Sequence, residues 1–266
     1  MKRRFFRIFL FLLLSLSGNT IEAQDADRAI TPLTWDGTLR RIHVPILMYH
    51  YVGEIPANAD DMRINLTVET AAFRAQMQYL RDNRYTTISL YDLYAALMRG
   101  ASLPPNPVVL TFDDGYLGHY TTVFPILQER GFTGTFFIIT ARADANNPEH
   151  LNWQQIREMS DANMDMESHT KDHVELDAQD YDSIVYQVLG SLESLRYYTG
   201  REAYFFGFPV GRYNENTLNV MQTLPVWAAV TTQPGTLQTT DRLLEMPRVR
   251  ISHDTSIAAF ARLLSP

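Results

Sequence analysis

The chain has 266 residues, of which 45% are hydrophobic, so it is long enough to bury one substantial core, and a single domain is expected. Its formal net charge of −7 argues against nucleic acid or an anionic membrane surface as the main partner. Because cysteine is absent, disulfides and cysteine-linked lipids are excluded, and any metal site must use histidine, aspartate or glutamate.

The N-terminal segment is typical of an export signal. Four basic residues precede a short apolar run over residues 8–16, and Ala23 offers a small residue for cleavage. We therefore predict a signal peptide over residues 1–23, a linker over residues 24–40, and a secreted, periplasmic or cell-surface protein. An uncleaved membrane anchor is the alternative, although the run is short against the roughly 20 apolar residues of a spanning helix.

From residue 41 onward, short apolar runs alternate with helical patterns. Strands are predicted over residues 44–49, 85–90, 107–112, 135–139, 164–168, 203–208, 226–230 and 246–251. The predicted helices are one after Thr67, with Phe73, Met77 and Leu80 on one face, and those over residues 91–99, 123–130, 153–162, 183–198 and 217–224. This alternation favours parallel strands, and seven or eight such units close into a barrel. We predict an α/β fold, a distorted (β/α)7–8 barrel, as a single domain over residues 41–266.

Two adjacent carboxylates follow the predicted strand at residues 107–112. Asp113, Asp114 and Gly115 stand where this strand is expected to end, and barrel active sites are built at such ends. One carboxylate could bind a cation while the other moves protons. Turns also use Asp-Asp-Gly for backbone reasons, so the tripeptide alone decides little.

Two further motifs follow later predicted strands. His169 and His173 are one helical turn apart, so both imidazoles could point at one ion, although this spacing also arises by chance. Thr170 stands where the metalloprotease helix motif has glutamate, which excludes that motif. The turn formed by Pro209, Val210 and Gly211 could direct a backbone N–H at a developing oxyanion, or it could be an ordinary strand-to-loop turn.

Together these motifs resemble those of the polysaccharide deacetylases, carbohydrate esterase family four. The resemblance rests on TFDDG at residues 111–115, HTxxH at residues 169–173 and the Pro-x-Gly turn, and it spans roughly residues 44–264. The stretches at residues 45–50, 73–77 and 134–138 are similar to the secreted branch that acts on a biofilm polysaccharide, poly-N-acetylglucosamine. The resemblance implies metal-dependent hydrolysis of N-acetyl groups from an amino-sugar polysaccharide, with release of acetate.

The resemblance also implies a metal site and a base. Asp114, His169 and His173 would be the metal ligands, and Asp113 would be the catalytic base. Two imidazoles and one carboxylate leave a tetrahedral cation one open position, which suits zinc, although cobalt, nickel and iron are alternatives. Zinc is the expected cofactor.

Further roles are implied at the ends of the last strands. The backbone N–H of Val210, in the turn that Pro209 begins, would bind the oxyanion, and His253 would protonate the leaving amine. The family's third motif usually carries an arginine two positions before the proline, where this chain has Gly207. We expect Arg248 or Arg250 to supply the missing cation to Asp113.

The remaining prominent side chains are interpreted as structural, with some alternatives left open. Tyr49 and His50 are expected to have structural roles, with a position lining the cavity as the alternative, and His119 is also expected to be structural, with a substrate role as the alternative. Trp153 and Trp227 are expected to pack in the protein, with a role as sugar platforms as the alternative. His43 and His150 are expected at the surface. Two other functions also stay open: an O-acetyl xylan esterase, and a catalytically inactive carbohydrate-binding barrel, which should lack part of the Asp, Asp, His, His set. The sequence leaves the polymer and the oligomeric state undetermined.

Overall fold

The elements below come from a computed structural model, which describes residues 32–265. The strands are β1 (Arg41–His43), β2 (Ile46–Tyr49), β3 (Tyr51–Val52), β4 (Thr67–Val68), β5 (Thr86–Thr87), β6 (Pro107–Phe112), β7 (Thr135–Ile138), β8 (Asp165–Ser168), β9 (Phe205–Gly207), β10 (Ala228–Pro234), β11 (Leu237–Thr239) and β12 (Met246–Arg250). The helices are α1 (Asp61–Leu66), α2 (Thr70–Asp82), α3 (Leu90–Arg99), α4 (Phe124–Arg130), α5 (Thr140–Asp144), α6 (Trp153–Asp161), α7 (Tyr181–Thr199), α8 (Glu215–Met221) and α9 (Ile257–Leu263).

Seven parallel strands within residues 32–265 close into a barrel. Their order around the barrel is β2, β6, β7, β8, β9, β10 and β12, and β2 closes it by pairing with both β6 and β12. The predicted (β/α) barrel is therefore confirmed, with seven strands. Three short strand pairs lie outside this ring: β1 with β11, β3 with β4, and β5 with the edge of β6.

The predicted strand at residues 85–90 is much shorter than expected. Only Thr86–Thr87 pair as a strand, because Ser89 already caps α3: its hydroxyl accepts from the Asp92 N–H, and the Asp92 carboxylate accepts from the Ser89 N–H. The other predicted strands and helices appear within a few residues of their expected ends. On α2, Phe73, Met77 and Leu80 are buried, as their spacing predicted.

Alternate strand residues face two apolar clusters. Ile46, Val109 and Phe205 belong to a cluster that also includes leucines of α3, whereas their neighbours Leu47 and Leu110 belong to the cluster under the outer helices. This period of two is what strands packed on both faces require. The row that contains Val109 continues along β6 to Thr111 and then Asp113, so one aspartate follows that face at the carboxyl end of the strand.

The described part of the chain begins within the predicted linker. The predicted signal peptide, residues 1–23, and residues 24–31 of the predicted linker lie outside the described residues. The rest of that linker contacts the barrel, because the Arg40 guanidinium donates to the carbonyl of Leu97 and pairs with Asp36. Within residues 32–265, no helix is long and apolar enough to cross a membrane.

Candidate active site

The two adjacent aspartates leave the end of β6 in different directions. The Asp113 N–H donates to the Tyr49 carbonyl, which continues the pairing of β6 with β2. Asp114 then has a φ of 74°, in the left-handed region that aspartate tolerates better than most residues, and Gly115 follows at 70°. Both carboxylates are buried, at 2% and 6% exposure. The backbone reversal lets neighbouring side chains meet different partners.

Asp113 forms a bidentate ion pair with Arg248. Arg248 Nη1 donates to Oδ1 at 2.8 Å and Nη2 donates to Oδ2 at 2.7 Å, and the guanidinium is fully buried. Two of its other donors reach the Thr111 hydroxyl and the Thr231 carbonyl. Burial favours the neutral acid, but the guanidinium outweighs it and lowers the pKa of Asp113 to about 2. Arg248, rather than Arg250, is thus the cation beside this aspartate.

Asp114 faces the two histidines of the HTxxH motif. Its Oδ1 lies 3.3 Å from His169 Nε2 and 3.2 Å from His173 Nε2, and it is buried without a well-formed hydrogen bond. The carbonyl of Gly207 lies 2.7 Å from His169 Nδ1, and since a carbonyl only accepts, Nδ1 carries the proton. His169 therefore presents Nε2 towards Asp114 and leaves that nitrogen for a metal, as a metal-binding imidazole requires.

The two histidines do not lie on a helical turn, as their spacing had suggested. Residues 169–173 form a loop in which Thr170 and His173 have φ values of 66° and 62°. Helix α7 holds this loop, because the Gln187 side chain accepts from the Lys171 and Asp172 N–H groups and donates to the Asp172 carboxylate. The imidazoles converge because of this loop conformation and not because of helical periodicity.

The three groups fit a divalent cation. Their ligand atoms lie within 4.8 Å of one another. Ligands bound at about 2.0–2.1 Å to one tetrahedral ion lie about 3.3 Å apart, which matches both distances from Asp114 Oδ1. Burial opposes ionisation of Asp114, yet the two imidazoles hold the pKa of its carboxyl well below the usual range. A buried, ionised oxygen without a good donor is what a metal would satisfy.

His50 lies beside this pair of aspartates. It follows β2, and its Nε2 is 3.9 Å from Asp113 Oδ2, with the ring mostly buried. Burial is the main cause that lowers the pKa of His50, opposed by the charges of Asp113 and Asp114. The His50 carbonyl in turn accepts a short bond, 2.6 Å, from His119 Nε2. The sequence signal for a place beside the aspartates was the position of His50 directly after a barrel strand, which favours the cavity-lining alternative over a purely structural role.

The other predicted site residues lie on loops at the same ends of strands. His253 is exposed and its N–H donates to the Asn65 carbonyl; within residues 32–265 no hydrogen bond or ion pair joins its ring to either aspartate. Val210 is 55% exposed with a φ of 57°, directly after the buried Pro209. Because β9 ends at Gly207, whose carbonyl holds His169, this turn begins next to the histidine pair.

A column of stacked side chains forms one wall near Asp114. The Arg63 guanidinium lies 3.3 Å from the ring centre of Tyr51, which stacks on Tyr116 at 3.7 Å, and Tyr116 contacts the ring of His150 at 5.0 Å. Burial, followed by the charge of Asp114, raises the pKa of Tyr116. The expectation that His150 lies at the surface is wrong: its ring is half-buried in this column.

The two prominent tryptophans pack against tyrosines. Trp227 lies between Tyr94 and Tyr204, at centroid distances of 5.3 and 4.0 Å, so its packing interpretation holds. Trp153 stacks on Tyr198 at 4.0 Å and donates to the Asp144 carboxylate at 3.0 Å.

Comparison with known proteins agrees with this geometry. Residues 100–229 match the family model described as polysaccharide deacetylase. The YxkH protein of Bacillus subtilis (strain 168), whose name places it among the polysaccharide deacetylases, is 30% identical over 226 residues, which cover 85% of this chain and 77% of that protein. The poly-beta-1,6-N-acetyl-D-glucosamine N-deacetylase of Escherichia coli (strain K12) is 27% identical, over 77% of this chain but only 36% of that protein.

Solved structures show the same fold. The Streptococcus pyogenes deacetylase PplD, determined in complex with acetate, superimposes with a TM-score of 0.79 at 28% identity, over 85% of this chain and all of that one. The polysaccharide deacetylase BC0361 of Bacillus cereus gives a TM-score of 0.74 at 28% identity, over 85% of this chain and 70% of that one. The chain therefore belongs to the polysaccharide deacetylase family, carbohydrate esterase family four, whose members are metal-dependent, and is a hydrolase that acts on the amide bonds of N-acetyl groups.

Proposed function

We propose that this enzyme removes N-acetyl groups from a polymer of N-acetylglucosamine, outside the cytoplasm, with a divalent cation bound by Asp114, His169 and His173. The observation that carries the proposal is the convergence of these three ligand atoms beside a second, independently held carboxylate, Asp113. The named activity of the Escherichia coli relative supports the choice of polymer. Zinc is the proposed metal, with cobalt, nickel and iron as alternatives.

The residues divide the reaction between them. A cation bound at the three ligands would supply Lewis acidity, polarising the acetyl carbonyl and lowering the pKa of the attacking water. Asp113 accepts the proton of that water, and Arg248 keeps its carboxylate ionised and oriented. The Val210 N–H, in the turn begun by Pro209, donates to the oxyanion of the tetrahedral intermediate.

The leaving amine needs a proton, and two histidines are candidates. His253 is the candidate that the family resemblance suggests, on an exposed loop after β12. His50 has the stronger geometric support, because its ring lies 3.9 Å from Asp113 and is not part of the ligand set. We therefore assign this proton transfer to His50, which would pass to the amine the proton that Asp113 has taken from the water, with His253 as the alternative.

Export is part of the proposal and rests on sequence alone. The basic and apolar pattern of residues 1–23 supports a signal peptide, and residues 24–40 would link it to a catalytic domain over residues 41–266. An uncleaved anchor would keep the enzyme at a membrane instead. A polysaccharide is the proposed partner in either case.

Acetate release from a panel of glycans tests the substrate. The metal-loaded enzyme should release acetate from poly-N-acetylglucosamine and less from chitin oligomers, peptidoglycan or acetylated xylan. Release from acetylated xylan alone would instead indicate an esterase. No release from any of these by protein that retains its metal would indicate a carbohydrate-binding barrel without catalysis.

A further inference from the structure

A groove on the outside of the barrel has the features of a second ligand site. It has a volume of about 520 Å³, within the usual range of small-ligand sites, and lies along α7. Its lining includes Tyr186, Tyr197 and Tyr198, with Glu193, Ser194 and Lys171 as polar groups. None of these residues belongs to the base or the metal ligand set described above.

The aromatic side chains form one exposed stripe. Tyr186, Glu193 and Tyr197 are separated by seven and four residues, so they lie on one face of α7. Tyr186 is 58% and Tyr197 is 78% exposed, and Tyr198 beside them is held by its stack on Trp153. Exposed tyrosines lining one cavity indicate contact with a ligand that has both apolar and hydroxyl-bearing faces.

The groove continues into the loop that carries the metal ligands. Lys171 stands between His169 and His173, and its backbone N–H donates to α7 at Gln187. Its side-chain stem lies so close to Gly190 that an added Cβ there would be 3.0 Å away. One residue of the ligand loop therefore lines the groove, so a long chain bound in the groove would run beside the loop that carries the metal ligands.

The charges of the groove suit an amino sugar. Lys171 is already paired with Asp144 at 3.6 Å, whereas Glu193 is exposed and lies between the two tyrosines on the stripe. Its carboxylate can accept from hydroxyl and acetamide groups, and from the ammonium group that deacetylation leaves. The tyrosine faces would contact the apolar faces of the sugar rings.

We propose that the α7 groove is a second glycan-binding site, which holds one stretch of the amino-sugar polymer while another stretch occupies the active site. This rests on the polysaccharide substrate of the proposed function. Binding at two points raises the effective concentration of polymer at the active site without changing the chemical step. A short oligomer, which cannot reach both sites, gains nothing from the groove.

The test compares polymer with short oligomer in matched variants. In the metal-loaded enzyme, Tyr186→Ala with Tyr197→Ala should lower kcat/KM for long poly-N-acetylglucosamine by about threefold to tenfold relative to a trimer, the range set by aromatic contacts. Tyr181→Ala is the control, because Tyr181 is 55% exposed on α7 but lies outside the groove lining. An unchanged polymer-to-trimer ratio in the double variant would overturn the proposal.

Binding measured without turnover separates this site from the proposed function. Affinity electrophoresis in gels containing the polymer should retard the wild type and the Tyr181→Ala variant, and retard the double variant less. If the wild type releases no acetate but shows this pattern, the proposed function fails and the groove stands. If the wild type is active and the double variant is retarded equally, the groove fails and the function stands.

Discussion

Arg248 and Asp113, 135 positions apart in the chain, form a fully buried bidentate ion pair with N···O distances of 2.8 and 2.7 Å. Both side chains are at most 2% exposed. Removal of one partner from such a pair is costly, because the other charge stays buried without compensation. The pair thus links the last strand of the barrel to the base of the proposed reaction.

Arg248→Met should destabilise the protein and move the acid limb of its pH–rate profile. Loss of a buried partner should lower the free energy of unfolding by about 3–5 kcal/mol. Urea unfolding at neutral pH measures this change. With Arg248 the pKa of Asp113 is about 2. Without it, burial dominates and raises that pKa, so activity should begin to fall at a higher pH than in the wild type. Arg250→Met, on the exposed neighbour in β12, is the control and should change stability little.

The role of the base and the role of a metal ligand can be distinguished by measuring metal content and turnover in the same variants. Asp113→Asn should retain bound metal but lose about 100-fold or more in kcat, since it removes the base and leaves the three metal ligands in place. His173→Ala should lose the metal, because it removes one of the three ligand atoms. Metal content by elemental analysis and acetate release check both. Equal loss of metal in the two variants would contradict this division of roles.

The proton donor to the amine can be identified by two glutamine substitutions. His50→Gln should lower kcat about 100-fold or more while metal content is kept, because the ring beside Asp113 is lost. His253→Gln should stay within a fewfold of wild type. The reverse result would assign the proton transfer to His253.

Gly207→Ala should weaken metal binding although Gly207 is not itself a metal ligand. A Cβ at this position would lie 3.0 Å from His169 Nδ1 and 3.1 Å from Phe137 Cγ, so the imidazole must shift. Disturbance of such a supporting contact typically costs about 10- to 100-fold in metal affinity. Competition with a chelator measures the affinity, and thermal unfolding of the metal-free protein separates this effect from general destabilisation.

Acid should destabilise the fold through His119. This fully buried ring donates from Nε2 to the His50 carbonyl, and burial, only partly opposed by that bond, lowers its pKa from 6.5 to about 4. The unfolded chain takes up the proton at higher pH than the folded one, so stability is complete above about pH 6.5 and is lost progressively as the pH falls toward 4. The difference corresponds to about 3 kcal/mol.

Urea unfolding between pH 4 and 8 measures this dependence. His119→Gln should flatten the curve over that window while lowering stability at neutral pH, because the buried imidazole packing is lost. His43→Gln, at an exposed position in β1, should leave the curve unchanged. A wild-type curve without a slope between pH 4 and 6.5 would contradict the assignment to His119.

The sequence alone determined the alternation of strands and helices, the family, and the identity of the groups that could bind metal. These features are local: apolar periodicity sets each element, and Asp113, Asp114 and His169 follow strands whose carboxyl ends a barrel must gather on one side. The cation beside Asp113 was predicted to be Arg248 or Arg250 for the same reason, since both lie on the last strand.

Only the tertiary structure decided which of those groups meet. Closure of the barrel through β2, which pairs with both β6 and β12, brings Arg248 to Asp113, and no local pattern encodes that contact. The histidine pair converges through two residues with positive φ values rather than through helical spacing. Such contacts depend on how distant segments pack, because hydrogen bonds and ion pairs act only between groups that the fold has already brought within a few ångströms.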